Sequence, residues 1–356
     1  MPRKWITKCI EQLNPETDYD EIWKLSAAYR PTDFIMNLVY AVTFPHFFVR
    51  ELDALPLVDY GDGKILKNSF RRSDDTSWKM QVWWHYGSHH DKTRQNVESI
   101  NKLHAHYAQR FPESFSRNDT YIYALCYEAA GMHRLMQRVG LTGMSEKEKL
   151  AAAKYWMQMS TIFRNVGTDD ALTGFPNSFD GIMAFMDKWE NEDVPKHDMG
   201  PPAARAIIQQ FADRYFPIFL HPLVFAWVIS LYPDHLIKAY DLKRPSAFAL
   251  KALRLLTAGF LWLGEKVIPD PMETYTERRK KANAPKRSAQ ETESSKMLGC
   301  PIHRFKPKTS SPIESTSEIS KVGTQQVTVA RNSERPHVEL SKISSKTPGS
   351  NSPKKE

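Results

Sequence analysis

The sequence predicts an all-α fold, a single multi-helix globular domain. Three observations carry it. Apolar residues recur at alternating +3 and +4 spacing, the signature of one helix face. Helix-opening patterns such as Asn118-Asp119 and Ser145-Glu146-Lys147-Glu148 recur along the chain. Strand-like and turn chemistry is confined to residues 55–70.

In chain order, Asn14-Pro15-Glu16-Thr17-Asp18 supplies an acidic first turn for a helix through Tyr29. Arg30-Pro31-Thr32-Asp33 opens a second, running into the forties. Tyr60-Gly61-Asp62-Gly63 predicts an exposed loop or short hairpin. Helices follow over Asp75–Tyr86 and Lys92–Phe111; on the latter Val97, Ile100, His104, Tyr107 and Phe111 share a face. Asn118-Asp119 caps a helix to Val139, which aligns Ile122, Cys126, Ala129, His133 and Met136 and ends at Gly140-Leu141-Thr142-Gly143. Ser145 starts a helix to Asn165, and Ser178-Phe179-Asp180 one that ends near Glu192. Pro201–Tyr232 is helical with breaks at Pro217 and Pro222, and Pro245–Val267 closes the domain as an amphipathic helix. There is no internal repeat, glycine-rich phosphate loop, zinc motif or nucleophile elbow.

Charge divides the chain of 356 residues. Glu277–Glu356 holds 17 Lys/Arg and 8 Asp/Glu, which leaves 32 basic and 33 acidic residues before it. The net +8 therefore belongs to the tail, and a near-neutral body gives no reason to expect nucleic acid as a partner. The tail has no Trp or Tyr and is rich in Ser, Thr, Lys and Pro, so residues 277–356 are expected to be disordered and dispensable for folding. Residues 1–276 suffice for one large helical domain. Cys9, Cys126 and Cys300 have neither disulfide nor metal-ligand spacing, which suits a reducing compartment.

Tyr215–Tyr232 carries no formal charge over 18 residues, the lower limit for a membrane span. Pro217, His221 and Pro222 interrupt it, so it is expected to be a buried core helix. Phe34–Val49, with Pro45 and His46, reads the same way. The start Met1–Trp5 leads into no apolar run, so no secretory signal is expected. The expectation is an intracellular chain, cytoplasmic or peripheral on the endoplasmic reticulum, with the basic residues 278–287 as a peripheral membrane contact.

Leu103-His104-Ala105-His106-Tyr107, then Asn118-Asp119 with the apolar helix Tyr121–Leu135, then Tyr155–Gly167 and Leu220-His221-Pro222-Leu223, follow one another in an order that resembles the MpaB/rubber-oxygenase (latex-clearing protein-like) family. Cys300-Pro301-Ile302-His303 resembles the ending of fungal members. The resemblance covers about residues 65–265. It implies an all-helical fold of that type, haem b held by histidine, and dioxygen chemistry on a hydrophobic, isoprenoid-derived small molecule, with a place in fungal secondary metabolism. Asn101-Lys102 stand where members often carry arginine before the Leu-His pair, and Cys126-Tyr127 where bacterial members carry histidine. His133 is then a substitute ligand.

The candidate iron ligands are His104, His133 and His221, as alternatives to one another; each can also be a histidine packed in a core. Arg134 is placed to pair with a haem propionate. Glu128, the only charge between Tyr121 and Met132, is a candidate base, and Lys102 a candidate catalytic cation. The alternatives are a helix-edge carboxylate and a solvated lysine. His85, His89 and His90 lack a carboxylate in metal spacing and read as surface. The functional alternative to an enzyme is a helical carrier for a lipid or terpenoid that lacks iron.

Overall fold

The computed structural model describes residues 3–59 and 63–282. The disorder expected from 283 onward, the Cys300-Pro301 ending and the apex of the turn at 60–62 lie outside the described residues. The fold is all-α. The helices are α1 (Trp5–Gln12), α2 (Tyr19–Ala27), α3 (Asp33–Thr43), α4 (Glu51–Val58), α5 (Lys64–Lys67), α6 (Ser69–Tyr86), α7 (Asp91–Ala108), α8 (Asn118–Arg138), α9 (Glu146–Ser160), α10 (Phe179–Asn191), α11 (Gly200–Tyr215), α12 (His221–Ser230), α13 (Asp234–Ala239) and α14 (Ala247–Trp262), followed by α15 over residues 275–282. A 3-10 turn, Phe44–Phe48, continues α3, and another, Ile218–Leu220, precedes α12. One two-residue antiparallel pair, Arg164–Asn165 with Asp170–Ala171, is the only sheet among the described residues.

The helix starts follow from side chains that accept the first free backbone N–H groups. Thr32 Oγ1 accepts from Ile35 N–H at 3.3 Å, and Ser178 Oγ from Gly181 N–H at 3.1 Å. Ser145 and Glu148 form a full capping box. At the end of α8, Gly140 takes φ +89° while Leu141 N–H bonds back to Met136 C=O. At Gly143, with φ +77°, an added Cβ would lie 2.4 Å from His133 Nδ1, so the chain needs glycine to pass that ring.

The interior holds two large apolar clusters. One joins α3, the Phe44–Phe48 turn, α4, α11, α12 and α13 through residues such as Phe48, Phe211, Tyr232 and Tyr240. The other joins α2, α6, α8, α9 and α10 through Trp23, Trp83, Tyr155, Trp156 and Ile182. The helix α8 serves both: Ile122–Ala130 packs in the second, Leu135 and Val139 in the first. A smaller cluster seats α1 on α2 and α9.

Several expectations are corrected. Residues 51–58 and 64–67 are helical rather than a hairpin, because Ala54, Val58 and Ile65 have a core to bury against. The helix from Ser145 ends at Ser160, and 164–165 turns into the short strand. Tyr215–Tyr232 is core on one side only: Val224, Val228, Leu231 and Tyr232 are buried, whereas Ile218, Phe219 and Leu223 are exposed. The helix α14 lacks the polar outer face expected of an amphipathic helix; it buries Leu253, Thr257 and Ala258 and turns most of its large apolar side chains outward.

The folded body also runs past residue 276. Tyr275 N–H donates to Ala28 C=O at 2.8 Å. Arg278 donates to the carbonyls of Tyr29, Pro31 and Glu273 at 2.6–2.8 Å. Lys280 reaches Tyr86, and Lys281 pairs with Glu273. The described part of the basic run therefore begins as a strap over the α2–α3 connection.

Candidate functional site

The site is built around α8. Its apolar length forces one polar side chain, Glu128, toward the first turns of the fold. There α3, the Phe44–Phe48 turn and α6 leave a small cavity of about 10 Å3, room for about one water, lined by Met36, Val39, Tyr40, Phe44, Phe47, Met80 and Glu128, among others. Glu128 makes no hydrogen bond or ion pair among the described residues. Burial alone pushes its carboxyl up to about 8, so it is mostly protonated at neutral pH. Met36 and Ser77 also line a second, more polar cavity of about 220 Å3, whose wall includes Asp33, Asp74, Arg214, Tyr275 and Arg279. The two spaces adjoin.

His104 points from α7 between the rings of Phe115 and Tyr121, at centroid distances of 5.3 and 6.1 Å. Its Nδ1 is buried without a partner, and desolvation, with Arg72 as a smaller cause, pushes the imidazole down to about 4. Arg72 lies within electrostatic reach of His104. Its guanidinium lies 4.7 Å over Phe44 and bonds Thr76, both cavity-lining residues.

The other candidates are placed apart from this space. His133 accepts from Met144 N–H through Nδ1 at 3.0 Å and meets the edge of Phe179, so its ring secures the α8–α9 connection. His221 has both nitrogens engaged, with Gln209 Nε2 at 3.2 Å and Phe216 C=O at 3.1 Å, which leaves none for iron. Lys102 is an exposed side chain near Glu98 at 3.7 Å, away from any cavity. Arg134 is committed to carboxylates of its own fold and is not available to a propionate. Of the surface set, His89 bonds Tyr19 and His85 contacts Thr274.

A haem requires a neutral imidazole with a free nitrogen next to apolar space. His104 supplies the neutral imidazole and the free nitrogen, but not the adjoining space. The two cavities, about 10 and 220 Å3, fall below the roughly 300–1,000 Å3 of small-ligand sites, alone or together. No histidine lines either cavity. On donor chemistry His104 is the one proposed ligand that fits.

Arg134 leads to a cluster that the sequence reading did not single out. Its guanidinium bonds both Glu190 oxygens, at 2.9 and 2.8 Å, and Tyr123 Oη donates to Glu190 Oε1 at 2.9 Å. His46 Nδ1 and His235 Nδ1 lie 3.5 and 3.4 Å from the same carboxylate, too long for good hydrogen bonds. The Nε2 atoms of both histidines are buried and unpartnered. Burial pushes His46 down to about 4 and His235 to about 3. Burial opposes the Glu190 charge, but its His46, His235 and Arg134 neighbours outweigh it and hold the carboxyl at about 2. The result is an ionised carboxylate, paired with Arg134, beside two neutral imidazoles. One donor atom from each of His46, Glu190 and His235 falls within 4.8 Å of the others, a spacing that a cation can draw in.

The cavity and the cluster share walls. Phe47 lines the cavity and packs edge-on against Tyr127, which in turn covers His46 at 4.3 Å. Sequence neighbours thus divide: His46 and Tyr127 meet at the cluster, Phe47 and Glu128 at the cavity. His46 had one signal in the sequence, a histidine inside the apolar stretch Phe34–Val49. Glu190 and His235 had none, being brought together only by tertiary packing.

No protein-family model and no curated protein matches this chain.

Proposed function

We propose that the protein is a haem-dependent oxygenase for a hydrophobic small molecule, with His104 as the residue that holds iron. The observation that carries the reading is His104 itself: an imidazole that desolvation keeps neutral, with a buried and unpartnered nitrogen. When bound, the haem supplies dioxygen binding and oxidation. The chain does the rest. Met36, Val39, Phe44, Phe47 and Met80 exclude water and would have to move apart to admit an apolar, isoprenoid-like skeleton. Glu128 holds a proton at its carboxyl near neutral pH and can give or take it at the substrate. Arg72, over Phe44 and within electrostatic reach of His104, supplies positive charge for an anionic group.

The two orphaned Nε2 atoms favour one second reading, a non-haem metal centre at His46, Glu190 and His235. Two histidines and a carboxylate form the donor set of open iron sites, and the Phe47–Tyr127 wall sets it beside the same cavity.

One purification decides between them. Full-length protein made with haem precursor is expected to show a Soret band that His104→Ala abolishes and His235→Ala leaves in place. A colourless protein whose bound iron or zinc is lost in His235→Ala supports the second reading. A colourless, metal-free protein that still binds a terpenoid supports a carrier.

A further inference from the structure

The outward surface of α14 is apolar along one helical stripe. Phe248, Ala252, Leu255, Gly259 and Trp262 follow a 4, 3, 4, 3 spacing and all are exposed, Phe248 at 85% and Leu255 at 70%. From Ala247 to Val267 the chain is long and apolar enough to cross a membrane, with a mean hydropathy of 1.4, yet only 17% of its most apolar stretch is buried in the protein. The antiparallel pairing of α12 with α14 is fixed by Trp227 Nε1 bonding Thr257 Oγ1 at 2.8 Å and Arg254 Nε bonding Ser230 C=O at 2.9 Å. That pairing brings the exposed Ile218, Phe219 and Leu223 to the end of α14 that carries Trp262, Leu263 and Val267. Exposed apolar surface of this extent marks an interaction site.

Charge identifies the occupant. Between Asp241 and Glu265 the chain has Lys243, Arg244, Lys251 and Arg254 and no acid. Arg244 is paired with Asp234 and Arg254 with the Ser230 carbonyl, but Lys243 and Lys251 are exposed and make no bond or ion pair among the described residues. Lys251 lies on the stripe, between Phe248 and Leu255. In a two-fold pairing of identical faces, cations would be driven toward their own copies in an apolar interface. On a bilayer the same lysine can extend its stem over the acyl boundary and put its ammonium at a phosphate. Trp262 suits that boundary as well. A crossing helix would need its remaining flank free of the body, whereas that flank carries Thr257 and Arg254, both bonded to α12.

We propose that α14, with the Ile218–Leu223 edge of α12, is a membrane-docking face that lies in the plane of an anionic lipid surface without spanning it. The test is flotation of the full chain with vesicles of phosphatidylcholine alone and of phosphatidylcholine with phosphatidylserine. Wild type is expected to float with both, more with phosphatidylserine, and to be released by alkaline carbonate. The variant Leu255→Glu with Leu256→Glu, at two exposed positions, is expected to float about tenfold less or weaker still, with an unchanged circular-dichroism spectrum. Lys243→Glu with Lys251→Glu is expected to lose the preference for phosphatidylserine. The proposal is overturned if the leucine variant floats like wild type, or if wild type binds neither vesicle. It is equally overturned if the bound chain resists carbonate, which marks a span, or if the stripe proves to hold a lipid-independent dimer that the leucine variant dissociates.

Discussion

Glu128 and Glu190 sit on helices packed against each other, and what separates them is a partner. Glu190 has Arg134 and Tyr123 and stays ionised; Glu128 has none and is held up at about 8. A carboxyl whose folded value is raised favours the folded state most at pH below its unfolded value of 4.5, and that contribution declines as pH rises through about 8. Wild type is therefore expected to lose thermal stability between pH 5 and pH 9 more steeply than Glu128→Gln; parallel melting curves across that range would refute the assignment. Arg134→Ala is expected to be destabilising by about 3–5 kcal/mol, since it strands a buried carboxylate, measured by urea unfolding at pH 7. Glu128 was legible in the sequence because it is the only charge in an apolar helical run. The Glu190 cluster was not, because its members come from four segments and no local spacing relates them. His133 and His221 misled for a related reason: their apolar surroundings were visible, the backbone groups that occupy their nitrogens were not.

Helices were readable where the sequence supplies both a periodic face and a cap, as at Thr32, Ser145 and Ser178. Ser145→Ala is expected to cost about 1 kcal/mol, a modest drop in melting temperature. Reading failed where tertiary contact decides. Residues 64–67 look like turn chemistry, yet Ile65 is buried and makes them a helix. Residues 275–282 look like the start of a solvated tail, yet Arg278 closes three backbone carbonyls. A chain cut after Tyr275 is thus expected to melt at a lower temperature than one cut after residue 282, because each hydrogen bond from a charged donor contributes about 1.5–3 kcal/mol. Equal melting of the two truncations would show that the strap is idle. For α14 the apolar period was plain, but sequence alone gives no sign of which side meets the body.

At the scale of the molecule, the buried charges form a seam. Glu190 comes from a helix of the tryptophan-rich cluster, His235 from α13 of the other, and Arg134 from α8, which serves both. Breaking the seam should let the two halves part. With Glu190→Gln, unfolding followed by tryptophan fluorescence, to which this cluster contributes Trp23, Trp83, Trp84 and Trp156, is expected to separate from unfolding followed by helical circular dichroism, whereas in wild type the two curves are expected to coincide. Coincident curves in the variant would mean that apolar packing alone unites the clusters. The fold class could be read from residue spacing, but this seam could not, because it exists only between elements far apart in the chain. One wall of the larger cavity has a further consequence, in the order of synthesis. Asp33, Asp74 and Arg214 emerge early from a ribosome, but Tyr275 and Arg279 emerge last of the described body. The pocket therefore gains its last wall only as the strap is laid down, after every other segment that lines it has been made.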